Sequence, residues 1–119
     1  MIFEILFQEP PLPDPLEAGW EGERVCEVLE ETDQIRALCC TFPPGVGHDR
    51  HVHTPHFGYV LNDGVVMQIT DETGTRTSNP STAGTSWWSD GNTHEVLNVG
   101  DVTGVYLIIE PKQIAVQED

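Results

Sequence analysis

The sequence predicts an all-β protein, an antiparallel sandwich or barrel of about eight short strands. Turn formers are spread along the whole chain, with 9 Pro and 11 Gly in 119 residues. Between them lie short runs of strand-forming residues, several with apolar–polar alternation. No stretch repeats apolar residues at the three- and four-residue spacing of an amphipathic helix.

The chain divides into two parts, an arm at 1–19 and a domain at 20–119. MIFEILFQ (1–8) is an apolar, strand-forming run, and EPPLPDPLEAG (9–19) is too rich in proline for a helix interior or a central strand. An apolar strand on such an arm must be buried somewhere, so exchange with a partner subunit in a homodimer is expected. From Trp20 onward, ERVCEVLEE alternates as a half-buried strand, with Val25 and Leu29 on its apolar side. QIRALCCTF (34–42) is a denser run that PPG stops. FGYVL (57–61), the turn NDG and VVMQIT (65–70) together give the strongest hairpin signal. DETGT is a further turn, and TSWW (85–88), HEVLNV (94–99) and VTGVYLIIE (102–110) complete the set.

Composition excludes several function classes. The formal net charge is −15, from 20 acidic residues against 5 Lys plus Arg, which repels a phosphate backbone and argues against nucleic acid as a partner. No window reaches the roughly 18 apolar residues of a membrane span, so no membrane partner is expected and a cytoplasmic location is. Cys39 and Cys40 are adjacent and would point to opposite faces of a strand, so they should not bridge each other. With Cys26 they are expected to be reduced, partly buried thiols. There is no phosphate-binding glycine loop, no HExxH, no CxxC and no nucleophile elbow.

The chemistry concentrates in HVHTPHFGYVLNDG (51–64). His51 and His53 are two apart, which in a strand puts both imidazoles on one face, able to converge on one ion. A further histidine, His94, follows in DGNTHEVLN. These stretches resemble the two motifs of the cupin superfamily. Gly45, followed five residues later by His51 and His53 and then by Gly64, fits the first motif. Gly84, Gly91, His94 and Asn98 fit the second, which here is one residue short and carries Asp90 near the position of its proline. The motifs run from 45 to 98, nearly half of the chain.

The resemblance implies a cupin-type jelly-roll β-barrel or sandwich at 20–119, in which His51, His53 and His94 share one divalent transition metal. Imidazole donors suit Fe, Ni, Zn or Cu. Asn98 would anchor a strand end. The glutamate of the first motif is missing. Either Phe57 closes that side with apolar surface and three histidines bind the metal, or His56 is a fourth ligand. Phe57, Tyr59, Trp88 and Met67 are candidate walls of a substrate pocket, and Phe42 and Tyr106 are further ones. His48 is expected to be an exposed loop residue. Arg36, Arg50 or Arg76 would signal an anionic substrate if one of them faced inward. The implied activity is that of a metal-dependent protein acting on a small oxygen-bearing metabolite, foremost as an Fe(II)-type dioxygenase of an enolisable or keto-acid substrate. A non-oxidative isomerase or lyase, or a binding protein without catalysis, is the alternative.

Overall fold

The computed structural model describes residues 11–112, which contain strands and no helix. The strands are β1 (Gly19–Trp20), β2 (Glu23–Arg24), β3 (Cys26–Glu31), β4 (Ile35–Phe42), β5 (Gly47–His53), β6 (His56–Val60), β7 (Met67–Asp71), β8 (Gly74–Thr77), β9 (Ser86–Ser89), β10 (Asn92–Asn98) and β11 (Gly104–Pro111). β1 and β2 form a small ribbon; the others form a four-stranded sheet, β5-β10-β7-β8, and a five-stranded sheet, β3-β4-β11-β6-β9. All pairings are antiparallel. Strands that follow one another in sequence repeatedly fall in different sheets, giving a jelly-roll sandwich. Each sheet keeps one apolar face, and the two faces bury Leu38, Cys40, Phe42 and Ile108 against Val65 and Met67.

The expected hairpin between FGYVL and VVMQIT does not form. β6 pairs with β11 and β9, whereas β7 pairs with β10 and β8. The side chains of NDG explain the difference, because they bind other loops rather than closing a turn of their own. Asn62 Nδ2 donates to the Thr103 carbonyl, Asn62 Oδ1 accepts from Val105 N, and Asp63 Oδ1 accepts from Ala83 N. The tight hairpin of this region is the next one, β7–β8, where DETGT turns the chain and Asp71 Oδ1 accepts from Thr73 N at 2.8 Å. A turn signal states that the chain reverses, not which sheet receives it.

The cysteines also depart from expectation. Cys26 on β3 lies directly across from Cys40 on β4, both point into the core, and they form a disulfide; Cys39 is free and half-buried. The rule that neighbours in a strand face opposite sides holds for Cys39 and Cys40. The register that opposes Cys26 to Cys40 was not legible in the spacing. β3 is otherwise an exposed edge strand, with Leu29 on its surface.

The described part of the arm packs on its own chain. Val52 N donates to the Pro13 carbonyl, Arg36 Nη2 to Asp14 Oδ2 at 3.0 Å, and Pro15 and Ala18 are buried. The strand expected at 1–8, and its exchange with a partner, lie outside the described residues.

Candidate metal centre

Two strands of the smaller sheet carry the histidine cluster. β10 runs antiparallel to β5 with His94 opposite His51 and Asn92 opposite His53, so alternation along each strand aims all three imidazoles at the other sheet. Ligand nitrogens of His51, His53 and His94 lie within 4.8 Å of one another. Their ring centroids form a near-equilateral triangle with sides of 4.6, 4.8 and 5.0 Å. Gly91, just before β10, takes φ 114°, and a Cβ there would press on the His53 carbonyl at 3.0 Å. Only glycine therefore lets the turn into β10 come this close to the end of β5.

Hydrogen bonds set the tautomers. His51 Nδ1 donates to the Asp49 carbonyl at 2.6 Å, leaving an Nε2 lone pair that meets His53 Nε2 at 2.9 Å. The Asn92 amide contacts His94 Nδ1 at 3.0 Å; with its oxygen turned to that nitrogen, Nε2 of His94 is also free to coordinate. His53 Nδ1 is buried and has no hydrogen-bond partner. Burial, with the neighbouring imidazoles second, holds His53 down to about 2 and His94 to about 4, and burial lowers His51 as well. The rings are neutral at pH 7, which is the protonation state a metal ligand needs. Neutral imidazoles whose ring nitrogens converge, one ring tied to a backbone carbonyl, are a donor set that fits a divalent transition metal once the proton shared between His51 Nε2 and His53 Nε2 is released.

Two more histidines extend the cluster. His48 is buried, not exposed. It stacks on His51 with centroids 3.7 Å apart, and its Nε2 donates to the Pro15 carbonyl at 2.9 Å. The cause is a register shift: His94 pairs with His51, but Val96, two residues on, pairs with His48, three residues back. The extra residue on β5 turns His48 inward, against simple alternation. Burial, then His51, holds it down to about 3.

His56 and Phe57 resolve into opposite faces of β6. His56 is buried and lines the pocket, its ring 4.4 Å from that of His53, while its Nδ1 donates to the Thr54 carbonyl at 2.9 Å. It stands next to the three-histidine group and not within it. Phe57 is half-exposed on the outer face, paired with Trp88 across β9.

The histidines floor a cavity of about 300 Å³ between the two sheets. Met67 lines it, as do Phe42 and Tyr106, but Phe57, Tyr59 and Trp88 do not. Alternation is again the reason: Trp87, not Trp88, shares the inward face with Ser89, and His56 and Val60 are the inward residues of β6. Trp87 lies over Gly58, where a Cβ would run into the indole, and it meets Tyr106 edge-on at 6.4 Å. Among the described residues, no Lys, Arg, Asp or Glu lines the cavity. Arg36 is held by Asp14 and Glu110, Arg50 by Glu95 and Arg76 by Asp71, so none of the three arginines faces inward. Asn98 anchors a strand end as expected, its Nδ2 donating to the Phe42 and Val102 carbonyls at 2.8 Å each and its Oδ1 accepting from Gly100 N.

No protein-family model matches the sequence. No curated protein matches it either. Solved structures do match. A cupin domain from Bordetella pertussis Tohama I superimposes with a TM-score of 0.69 at 23% identity, over 88% of this chain and 100% of that one. The polyketide cyclase RemF from Streptomyces resistomycificus gives 0.57 at 19% identity, over 79% and 72% of the two chains. A sugar phosphate isomerase of the cupin superfamily from Silicibacter pomeroyi gives 0.53 at 17%, over 92% and 74%. At these identities the likeness speaks for the fold, and the chain has the fold of a small cupin.

Proposed function

We propose that the chain is a metal-dependent cupin that binds one divalent transition metal through His51, His53 and His94 and acts on a small oxygen-bearing molecule in the adjoining cavity. The observation that carries this reading is the convergence of three neutral imidazoles, without a carboxylate, at the floor of a largely apolar pocket. Foremost we assign it the dioxygenation of an enolisable substrate with Fe(II). When bound, a metal held only by imidazoles keeps its full +2 charge and supplies Lewis acidity toward a carbonyl or enolate and, as Fe(II), reactivity toward O2. In the net reaction a C–C bond beside a carbonyl breaks and both atoms of O2 enter the two products, so no further reductant is needed.

The chain's own residues bind and shield. His56, with Nδ1 committed to Thr54, offers Nε2 to the pocket as an acceptor for a substrate hydroxyl. His48 buttresses the His51 ring from behind. Met67 and Ile108, both buried, add apolar lining that limits water in the cavity.

A non-oxidative isomerase or cyclase is the second reading, favoured by the isomerase and the cyclase among the structural neighbours. Oxygen uptake separates the two. Protein purified without a histidine tag and loaded with Fe(II) should consume O2 in the presence of a β-diketone or a keto acid. Bound iron with no uptake, but with rearrangement of the substrate, would replace the first reading by the second.

A further inference from the structure

The five imidazoles and the absence of other charge define the cavity's chemistry more narrowly than its metal site does. Among the described residues, every Lys, Arg, Asp and Glu lies outside the cavity lining. Arg36, Arg50, Arg76 and Lys112 are paired with carboxylates outside the pocket, and Arg24 is exposed on β2. Besides the histidines the lining offers a few small polar side chains (Ser78, Asn79 and Ser81 among them) and an aromatic wall that starts beside His48 at Phe42, 5.7 Å between centroids, and runs through Tyr106 to the part-exposed Trp87. The rings of that wall touch in series, 5.9 Å and 6.4 Å between centroids. Its outermost member occupies space that exists only because residue 58 is glycine. A carboxylate or phosphate placed against this wall would lose part of its hydration, Trp87 being 37% exposed, and meet no Lys or Arg among the described lining residues, in a protein of net charge −15.

We propose that the site selects substrates whose end remote from the histidines is uncharged and aromatic or otherwise planar and apolar, with Trp87 as the specificity-determining residue. This rests on the function proposed above for the position of the reacting end, but the discrimination is a property of the wall and holds with or without metal. It argues against substrates that carry a phosphate or a second carboxylate at the far end.

The test uses two isosteric probes on the untagged full chain, metal-loaded and metal-free: benzoylacetone bearing a para-carboxamide, and benzoylacetone bearing a para-carboxylate. Calorimetry should show the carboxamide binding at least about 30-fold more tightly than the carboxylate in both forms of the protein. Trp87→Ala should weaken the carboxamide by about 10-fold or more, while Trp88→Ala, on the outer face of the same strand, leaves it unchanged. Equal affinity for the two probes would overturn the proposal, as would failure of both to bind or equal effects of the two tryptophan variants. Loss of metal dependence with the charge discrimination intact would instead count against the proposed function alone.

Discussion

The inside and the outside of this small sandwich have opposite electrostatic organisation. Outside, carboxylates predominate, and Arg36, Arg50, Arg76 and Lys112 are each neutralised by one or two of them. Inside, the five histidines line a cavity to which, among the described residues, no carboxylate and no permanent cation contributes. The surface charge reaches the site only from outside the lining, as secondary influences of Asp14 and Asp49 on His51 and of Arg76 and Asp71 on His94, and as a field that discourages anions from approaching. Burial holds His48, His51, His53 and His94 toward the neutral form, and a metal bound as we propose would be the strongest charge of the interior. The missing glutamate of the first motif belongs to the same sorting, since His56 stands on the inward face where a carboxylate would have lowered the charge of the site.

The comparison breaks most visibly if an interior ligand is removed. His51→Ala should lower affinity for a divalent transition metal by more than about 100-fold, measured by competition with a chromophoric chelator. His56→Ala should cost less than any of the three, because its ring lies beside the group rather than in it. If His56→Ala matched His51→Ala, a four-histidine centre would be the better description.

Next in size is the pH response of the metal-free protein. Unfolded histidines take up protons below about 6.5, while His48, His53 and His94 in the fold resist doing so. The unfolded state then binds more protons, so this stability is complete above about 6.5 and declines as pH falls, down to about 4 for His94, about 3 for His48 and about 2 for His53. Between about 6.5 and 5 the acidic residues remain ionised, so relief of their mutual repulsion does not mask the effect. Thermal melts should lose about 5 °C or more across that window. A flat melting temperature there would mean that the imidazoles are not held neutral.

Asn98→Ala tests the scaffold rather than the charge. It strands two carbonyls and one N–H near the mouths of β4, β10 and β11, and should cost about 2–3 kcal/mol in denaturant melts. The smallest effect belongs to the outer face. Phe57→Ala should change metal affinity by less than about twofold and stability by about 1 kcal/mol or less, because the side chain is half-exposed. An appreciable change in metal binding would place Phe57 at the site after all.

The fold and the clustering of His51, His53 and His94 were legible because each rests on a local period. Alternation put His51 and His53 together, and the motif spacing brought in His94. What escaped depended on non-local register. The disulfide needs Cys26 opposite Cys40 across two strands, and nothing in a spacing of 14 states that pairing. His48 is turned inward by a single extra residue on β5, which no composition reveals. Trp87 and Trp88 are adjacent, so a one-residue uncertainty in phase exchanged the pocket wall for the outer face. The short, adjacent NDG turn promised a hairpin, but its side chains were committed to distant loops.

The central claim is that the histidine floor holds a single transition metal. Elemental analysis of untagged protein, after incubation with Fe(II), Ni(II), Zn(II) or Cu(II) and removal of the excess, tests it most directly. The account predicts about one equivalent of metal per chain for at least one of these ions, abolished by His51→Ala and by His53→Ala and preserved in Phe57→Ala. No bound metal in the unaltered protein, or equal loading of the His51→Ala variant, would contradict it.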